Sequence, residues 1–230
     1  MESTVKENLT AVVLSSGGKD SILALHLAMM NKYHIKGIIT VIPEDNESML
    51  YHTHNITHVK TIAKSIGIEW YPVEASTSRE EGDLINAMKN IDFTTLVTGG
   101  VCSNYQRVRF ERIARSANKL VYSPIWGMDE TEILRTIVDL GFDTIVVAVA
   151  ALGLEEEWLG RHLNNENVEK LLSLSKKYRF SPVGEGGDYD TFVLDAPPYR
   201  NKLKELMISK EWKGDRGRLQ IIEMSGVSKV

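Results

Sequence analysis

Cysteine is almost missing: the 230 residues contain one, Cys102. A single thiol excludes an intrachain disulfide and any zinc site built on paired cysteines. Long apolar runs are missing as well. No stretch reaches 18 apolar residues, and the beginning of the chain, with Glu2 and Glu7, holds no apolar segment of signal length. A cytoplasmic protein with no membrane partner is the expectation. An excess of positive charge is the third absence. The formal net charge of −4 gives no field that draws the chain to nucleic acid or to an anionic membrane. Internal repeats and low-complexity segments are also absent. What is there is 43% hydrophobic and 25% charged, the balance of a globular protein long enough for one large domain or two small ones.

The chain is organised around Leu14-Ser15-Ser16-Gly17-Gly18-Lys19-Asp20-Ser21. An apolar run, Leu9 to Leu14, precedes it and an amphipathic run, Ile22 to Met30, follows. A strand, a glycine turn and a helix start make an anion site, because the free N–H groups and the positive dipole end of the helix point at it. Gly17 and Gly18 let the backbone approach an anion without a Cβ in the way. Ser16 and Ser21 offer hydroxyls, Lys19 a positive charge, and Asp20 a carboxylate that caps the helix or holds Mg²⁺. A Walker loop is excluded, since Val13 stands five residues before Gly18 where that motif needs glycine. The string SGGKDS instead resembles the pyrophosphate loop of the N-type ATP pyrophosphatases, which cleave ATP between the α- and β-phosphates.

Strand and helix patterns alternate five times up to Tyr122. Strands are predicted at Leu9–Leu14, Ile35–Ile42, Ile68–Val73, Thr95–Thr98 and Leu120–Tyr122. Helices are predicted at Lys19–Asn31, Ile56–Ile66, Arg79–Lys89 and Ser103–Asn118. This pattern argues for α/β architecture, a doubly wound and mostly parallel five-stranded sheet with ligands at the carboxyl ends of its strands. From Met128 the character shifts. Helices are expected at Glu130–Leu140, Leu154–Leu163 and Val168–Tyr178, with β-rich runs at Thr144–Ala151 and Phe192–Leu194. A nucleotide-binding domain over 1–128 and a smaller α+β substrate domain over 129–230 follow from that shift, although no proline-, glycine- or serine-rich linker marks the division.

Four further groupings bear on chemistry. His52, His54 and His58 invite a metal, but no acidic or cysteine ligand stands at a familiar spacing, so solvated or hydrogen-bonded histidines are expected. Cys102, after Gly99-Gly100, reads as a small packed residue near the nucleotide crevice and not as a nucleophile. In Ser103-Asn104-Tyr105-Gln106-Arg107-Val108-Arg109, Ser103 caps a helix and Arg107 or Arg109 is placed to neutralise phosphate; Arg112, Arg115 and Lys119 read as a solvated face. The string Glu185-Gly186-Gly187-Asp188-Tyr189-Asp190 sets three carboxylates around flexible glycines, either as a turn into a strand or as a site for a cationic group.

SGGKDS, SNYQRVR, WLGR (Trp158–Arg161) and EGGDYDTFVLDAP (Glu185–Pro197) together resemble the diphthine–ammonia ligase family over nearly the whole chain. Against the family's usual S-D-Y-Q and E-G-G-E-[FY]-E-T, Asn104 replaces an aspartate, and Asp188 and Asp190 are each one methylene shorter. The resemblance implies an adenine nucleotide alpha hydrolase-like sheet ordered 3-2-1-4-5 and an ATP-dependent amidation of diphthine on translation elongation factor two. The carboxylate is adenylated, pyrophosphate leaves, and ammonia displaces AMP. ATP and pyrophosphate fall to Ser15, Ser16, Gly17, Gly18, Lys19, Asp20, Ser21, Gly99 and Gly100, with Mg²⁺ on Asp20. The substrate falls to Ser103, Tyr105, Gln106, Arg107, Arg109, Glu185, Gly186, Gly187, Asp188 and Asp190. Lys19, Asp20 and Glu185 are the catalytic candidates, Glu185 on the amide-forming side. The partners are the diphthine-bearing factor and free ammonia, with no direct nucleic acid; a homodimer is allowed. Sulfur-transfer relatives generally use two cysteines, which this chain does not hold. Two other readings stay open: a superfamily member that adenylates a small metabolite, and an adenine-nucleotide sensor without turnover.

Overall fold

The computed structural model describes residues 9–43, 53–76 and 79–229. The five apolar runs become β1 (Thr10–Leu14), β2 (His34–Pro43), β3 (Glu69–Ala75), β4 (Thr95–Val97) and β5 (Leu120–Tyr122). They form one sheet in the order β3-β2-β1-β4-β5, with every neighbouring pair parallel, which is the expected order. Because side chains alternate across a strand, β1 feeds two cores. Ala11 and Val13 join Ile22, Leu23 and Leu25 of α1 (Lys19–Met30), whereas Val12 joins Leu84 and Met88 of α4 (Glu80–Asn90) and Ile113 of α5 (Asn104–Ser116). The strand order reverses between β2 and β4 around β1, so the loops after β1 and β4 open onto a common crevice.

The expected helix Ile56–Ile66 is broken into α2 (Thr53–Ile56) and α3 (Val59–Ile66). The cause lies far along the chain. Asn55 donates to Leu219 O at 2.8 Å and accepts from Ile221 N–H at 2.8 Å, pairing with a strand edge as another strand would. His58 sits 2.7 Å from Ile221 O through Nε2, a hydrogen-bonded histidine. His52 and the side chain of His54 lie outside the described residues.

The second sheet is antiparallel in the order β7-β6-β9-β8, made of β6 (Asp143–Val149), β7 (Tyr189–Asp195), β8 (Asn201–Lys213) and β9 (Arg216–Ser228). Two helices accompany it. α6 (Glu130–Asp139) is capped by Asp129, whose carboxylate accepts from Thr131 and Glu132 N–H at 2.9 and 3.1 Å, and α7 (Asn165–Tyr178) is capped by Asn164. The helix expected over Leu154–Leu163 is not there. A single tight turn, Glu156–Trp158, stands in its place. Gly160 at φ +83° turns the chain so that Arg161 O can accept from Val146 N–H beside β6. Leu154, Trp158, Leu159 and Leu163 have the spacing of a helix face yet are buried from an irregular segment. One apolar cluster runs from α1 through Val146 and Phe192 to Leu219, so the two sheets share a core.

Candidate active site

The turn after β1 is tied to itself before anything binds. Ser15 Oγ accepts from Gly17 N–H at 2.9 Å and lies 2.6 Å from Ser21 Oγ, which in turn donates to Gly18 O at 2.9 Å. Gly17 has φ +88°, a conformation that only glycine takes without strain, and a Cβ there would stand 2.8 Å from the Phe192 ring. Ser16 remains exposed at the mouth of the turn. Gly18 in extended conformation precedes α1 and, having no side chain, offers no cap.

Lys19 is 2% exposed. Its ammonium donates to Val183 O and to Asp20 Oδ2 at 3.0 Å, and lies 5.0 Å from the centroid of the Tyr189 ring. Asp20 completes the local charge pair. Burial raises its pKa against the pull of Lys19, and the nearby Glu185 charge adds to the rise. Its second oxygen, Oδ1, is buried without a hydrogen-bond partner among the described residues.

The loop after β4 closes on this helix start. At Gly99 a Cβ would meet Ser21 N at 2.6 Å and Asp20 C at 2.7 Å, a backbone approach that only glycine permits. The next residues receive Glu185 from the second sheet's side. Glu185 Oε1 accepts from Val101 and Cys102 N–H at 3.2 and 3.0 Å, and Oε2 lies 2.6 Å from Cys102 Sγ. Burial opposes the Glu185 charge, but the Cys102 thiol and the surrounding N–H groups outweigh it and hold the carboxyl below its usual range. The thiol moves the other way, pushed up to about 11 by that hydrogen bond first, then by burial and by the Glu185 and Glu130 charges. Cys102 is exposed and engaged in this bond, not packed as expected.

These pieces surround one cleft of about 670 Å³. Ser15, Ser16, Gly18, Lys19, Asp20 and Ser21 line it from β1 and α1, with Gly99 and Gly100 from β4. Across from them stand Glu185, Gly186, Gly187 and Asp190. Gly186 and Gly187 take φ +86° and +88° with open space where a Cβ would sit. From α5 the cleft receives Ser103, Tyr105, Gln106 and Arg109. Ser103 accepts from Gln106 N–H at 3.3 Å as the expected cap, and Tyr105 is 76% exposed. Arg109 is pinned by Glu80 and Glu81 of α4, each at 3.0 Å, which raises its pKa despite burial.

Two expected substrate residues lie off the cleft wall. Arg107 turns to Glu111, its i,i+4 partner on α5, at 2.8 Å, and lies over Trp126 of the segment after β5 at 5.3 Å. Asp188 faces back into its own turn, accepting from Ser181 N–H at 2.9 Å. Gly17 supports the loop from behind the wall. Sequence reasoning passed over Thr191, Tyr189, Phe192 and Arg218, all of which line the cleft. The first three stand inside the quoted EGGDYDTFVLDAP string, so the signal was present. Arg218 sits on β9, and nothing in its neighbourhood marks it.

Among the described residues, no group of three or more His, Cys, Asp or Glu side chains is arranged to hold a metal by protein ligands alone, and no helix is long and apolar enough to cross a membrane. The family model for the diphthamide synthase N-terminal domain matches residues 9–119, and the model for the diphthamide synthase C-terminal domain matches 129–227. A diphthine–ammonia ligase of Schizosaccharomyces pombe is 29% identical over 212 residues, covering 83% of this chain and 35% of that protein. The rat protein of that name is 28% identical over 220 residues, covering 85% of this chain and 82% of its own length. The human one is 25% identical with the same coverage. With both halves matched in order, the chain belongs to the diphthamide synthase family.

Proposed function

We propose that the chain is a carbon–nitrogen ligase that uses ATP to amidate diphthine on translation elongation factor two, with free ammonia as nitrogen donor. The observation that carries the reading is the meeting of SGGKDS and EGGDYD, more than 160 residues apart, on opposite walls of one cleft. A phosphate-binding turn thus faces carboxylates able to order a cationic substrate. The diphthine carboxylate attacks the α-phosphorus, the α–β phosphoanhydride bond breaks, and pyrophosphate leaves. Ammonia then adds to the acyl carbon, the bond to AMP breaks, and the surplus proton passes to solvent or a cleft carboxylate. Neutralising the departing pyrophosphate lowers the first barrier, the task given to the N–H groups of the turn and to Lys19. Shielding the acyl-adenylate from water falls to the 183–190 segment that covers Lys19.

Asp20 fits a divalent cation. Its buried, unpartnered Oδ1 is an oxygen that a hard cation satisfies, and the ion would offset the burial that now raises the Asp20 pKa. When bound there, Mg²⁺ supplies charge neutralisation on the phosphates. The elongation factor as substrate puts the protein in the cytoplasm. The test is incorporation of labelled ammonia into diphthine-bearing elongation factor two with ATP, together with chromatography of the nucleotide products. AMP, pyrophosphate and label in the factor are expected. ADP as the product, or pyrophosphate release without label in the factor, would end this reading.

A further inference from the structure

The residue before α1, Gly18, has no side chain to cap it, yet the helix's first amide has a partner. Lys19 N–H donates to Thr191 Oγ1 at 3.1 Å, across 172 positions of sequence. Thr191 lies on β7 and is 8% exposed, and a Cβ on Gly18 would stand 3.6 Å from the same hydroxyl. The rest of β7 holds the turn by other means. Val193 N–H donates to Gly17 O at 3.0 Å, and the Phe192 ring packs where a Gly17 side chain would be. Those ties are main-chain and apolar, so they seat the turn without setting the direction of its amides. Among the described residues, the Thr191 hydroxyl is the side-chain group that reaches the helix start as a cap would. A capping oxygen normally comes from the residue just before the helix; here a strand of the other sheet provides it.

We propose that Thr191 is a positioning residue for the phosphate turn. Its hydroxyl takes the first amide of α1 and so fixes the orientation of the turn and first helical residues toward an incoming polyphosphate. The second sheet is then part of the nucleotide site through one side-chain bond, not only a wall opposite it. The proposal rests on the ATP reading above for its ligand, though not for its geometry.

The experiment titrates MgATP and, separately, inorganic pyrophosphate into the full chain by calorimetry, comparing Thr191→Val with Thr191→Ser. Valine keeps the shape and deletes the acceptor; serine keeps the acceptor and deletes the methyl. Loss of one cap hydrogen bond is expected to weaken both ligands about tenfold in the valine variant, and serine should recover affinity to within about threefold of the parent. Valine binding as tightly as the parent, or serine as weakly as valine, would overturn the proposal. Should the valine variant fail to fold, exchange of the Lys19 amide in the unsubstituted protein decides. Protection without nucleotide supports the bond, and exchange at the rate of an open amide removes it. If the parent itself binds neither ligand, the ATP reading fails, and the Lys19 amide still reports on the Thr191 bond separately.

Discussion

The parallel sheet fully buries Ala11, Val12 and Val13 of its central strand, whereas the antiparallel sheet leaves Leu206, Met207 and Ile222 of its outer hairpin about half exposed. Both reach the cleft, but by different routes. In the parallel sheet the site residues follow strand ends: Ser15, Gly17, Gly18 and Ser21 are tied to one another within the turn, and Gly99 of the β4 loop lies against Asp20 and Ser21. The antiparallel sheet contributes through its edge strand β7 and the turn before it, which reach back by long-range bonds to Lys19, Val101 and Cys102. Its β8–β9 hairpin lends Arg218 to the cleft and grips the α2–α3 break through Asn55 and His58. One sheet builds a phosphate turn from neighbours in sequence; the other holds that turn from a distance.

The sharpest way to separate the two contributions is Glu185→Gln. The glutamine keeps an oxygen for the Val101 and Cys102 amides and loses the charge. Calorimetric ATP affinity should change by no more than about threefold, while labelled-ammonia incorporation should fall roughly a hundredfold or more, the scale of a lost acid–base or orienting group. ATP binding lost together with activity would instead place Glu185 on the nucleotide side. Gly99→Ala attacks the contact between the parallel sheet's own two loops. Its Cβ would stand 2.6 Å from backbone at Ser21, which cannot swing aside as a side-chain tip can. About 3 kcal/mol of stability should go, a melting temperature lower by roughly 6–12 °C in scanning calorimetry. An unchanged melting temperature would mean that the β4 loop does not press on α1.

Legibility divides along the same line. The five parallel strands could be read because each is a short apolar run followed by a helix pattern, and the SGGKDS turn because its bonds are between neighbours. The hairpin β8–β9 drew no reading. Lys202, Lys204, Glu205, Lys210 and Glu211 interrupt its apolar positions, so no clean alternation emerges. Its one signal was Gly214-Asp215, a two-residue turn between 13-residue strands, with Gly214 at φ +66°. The false helix at Leu154–Leu163 and the missed break at Thr57-His58 have one cause. In both, the decisive partner is a strand, β6 or β9, outside the stretch itself, and periodicity within the stretch does not register it. Thr191 stands inside the quoted EGGDYDTFVLDAP string, but its capping of a helix 172 residues away leaves no local pattern.

Lys19→Ala stands between the two routes, since its backbone belongs to the turn and its ammonium reaches Val183. Turnover should fall tenfold to a hundredfold, about 1.5–3 kcal/mol for one hydrogen bond to a charged group. Full turnover at saturating ATP would show that the buried ammonium serves only to hold Val183 and Asp20. Gly186→Ala is the milder counterpart of Gly99→Ala. Open space surrounds it, so only the positive φ is penalised, about 1–2 kcal/mol, and melting should drop by less than in the Gly99 variant. A larger drop would mean that the glycine string is packed as tightly as the β4 loop.

The smallest expected effect falls on Cys102, where the two halves of the cleft touch through a thiol. Its protonated form is the donor to Glu185, so a folded-state value of about 11 contributes stability that is complete below the ordinary thiol value and lost as the pH rises through 11. Glu185, held below its usual range, works in the opposite sense: its contribution is complete above that range and fades as the pH falls through the depressed value. The contact therefore holds through neutral pH. Cys102→Ser retains a hydroxyl donor at the same place, and turnover at neutral pH should stay within about twofold, a fraction of one hydrogen bond. Alkylation of the unsubstituted protein by iodoacetamide should follow a midpoint near 11 although the residue is exposed. In the Glu185→Gln protein that midpoint should return toward the ordinary value of about 8.5. A serine variant that folds, binds ATP and yet makes no amide would turn the thiol into a participant in the chemistry. A midpoint that ignores the glutamine substitution would break the contact between the segment before β7 and the loop after β4.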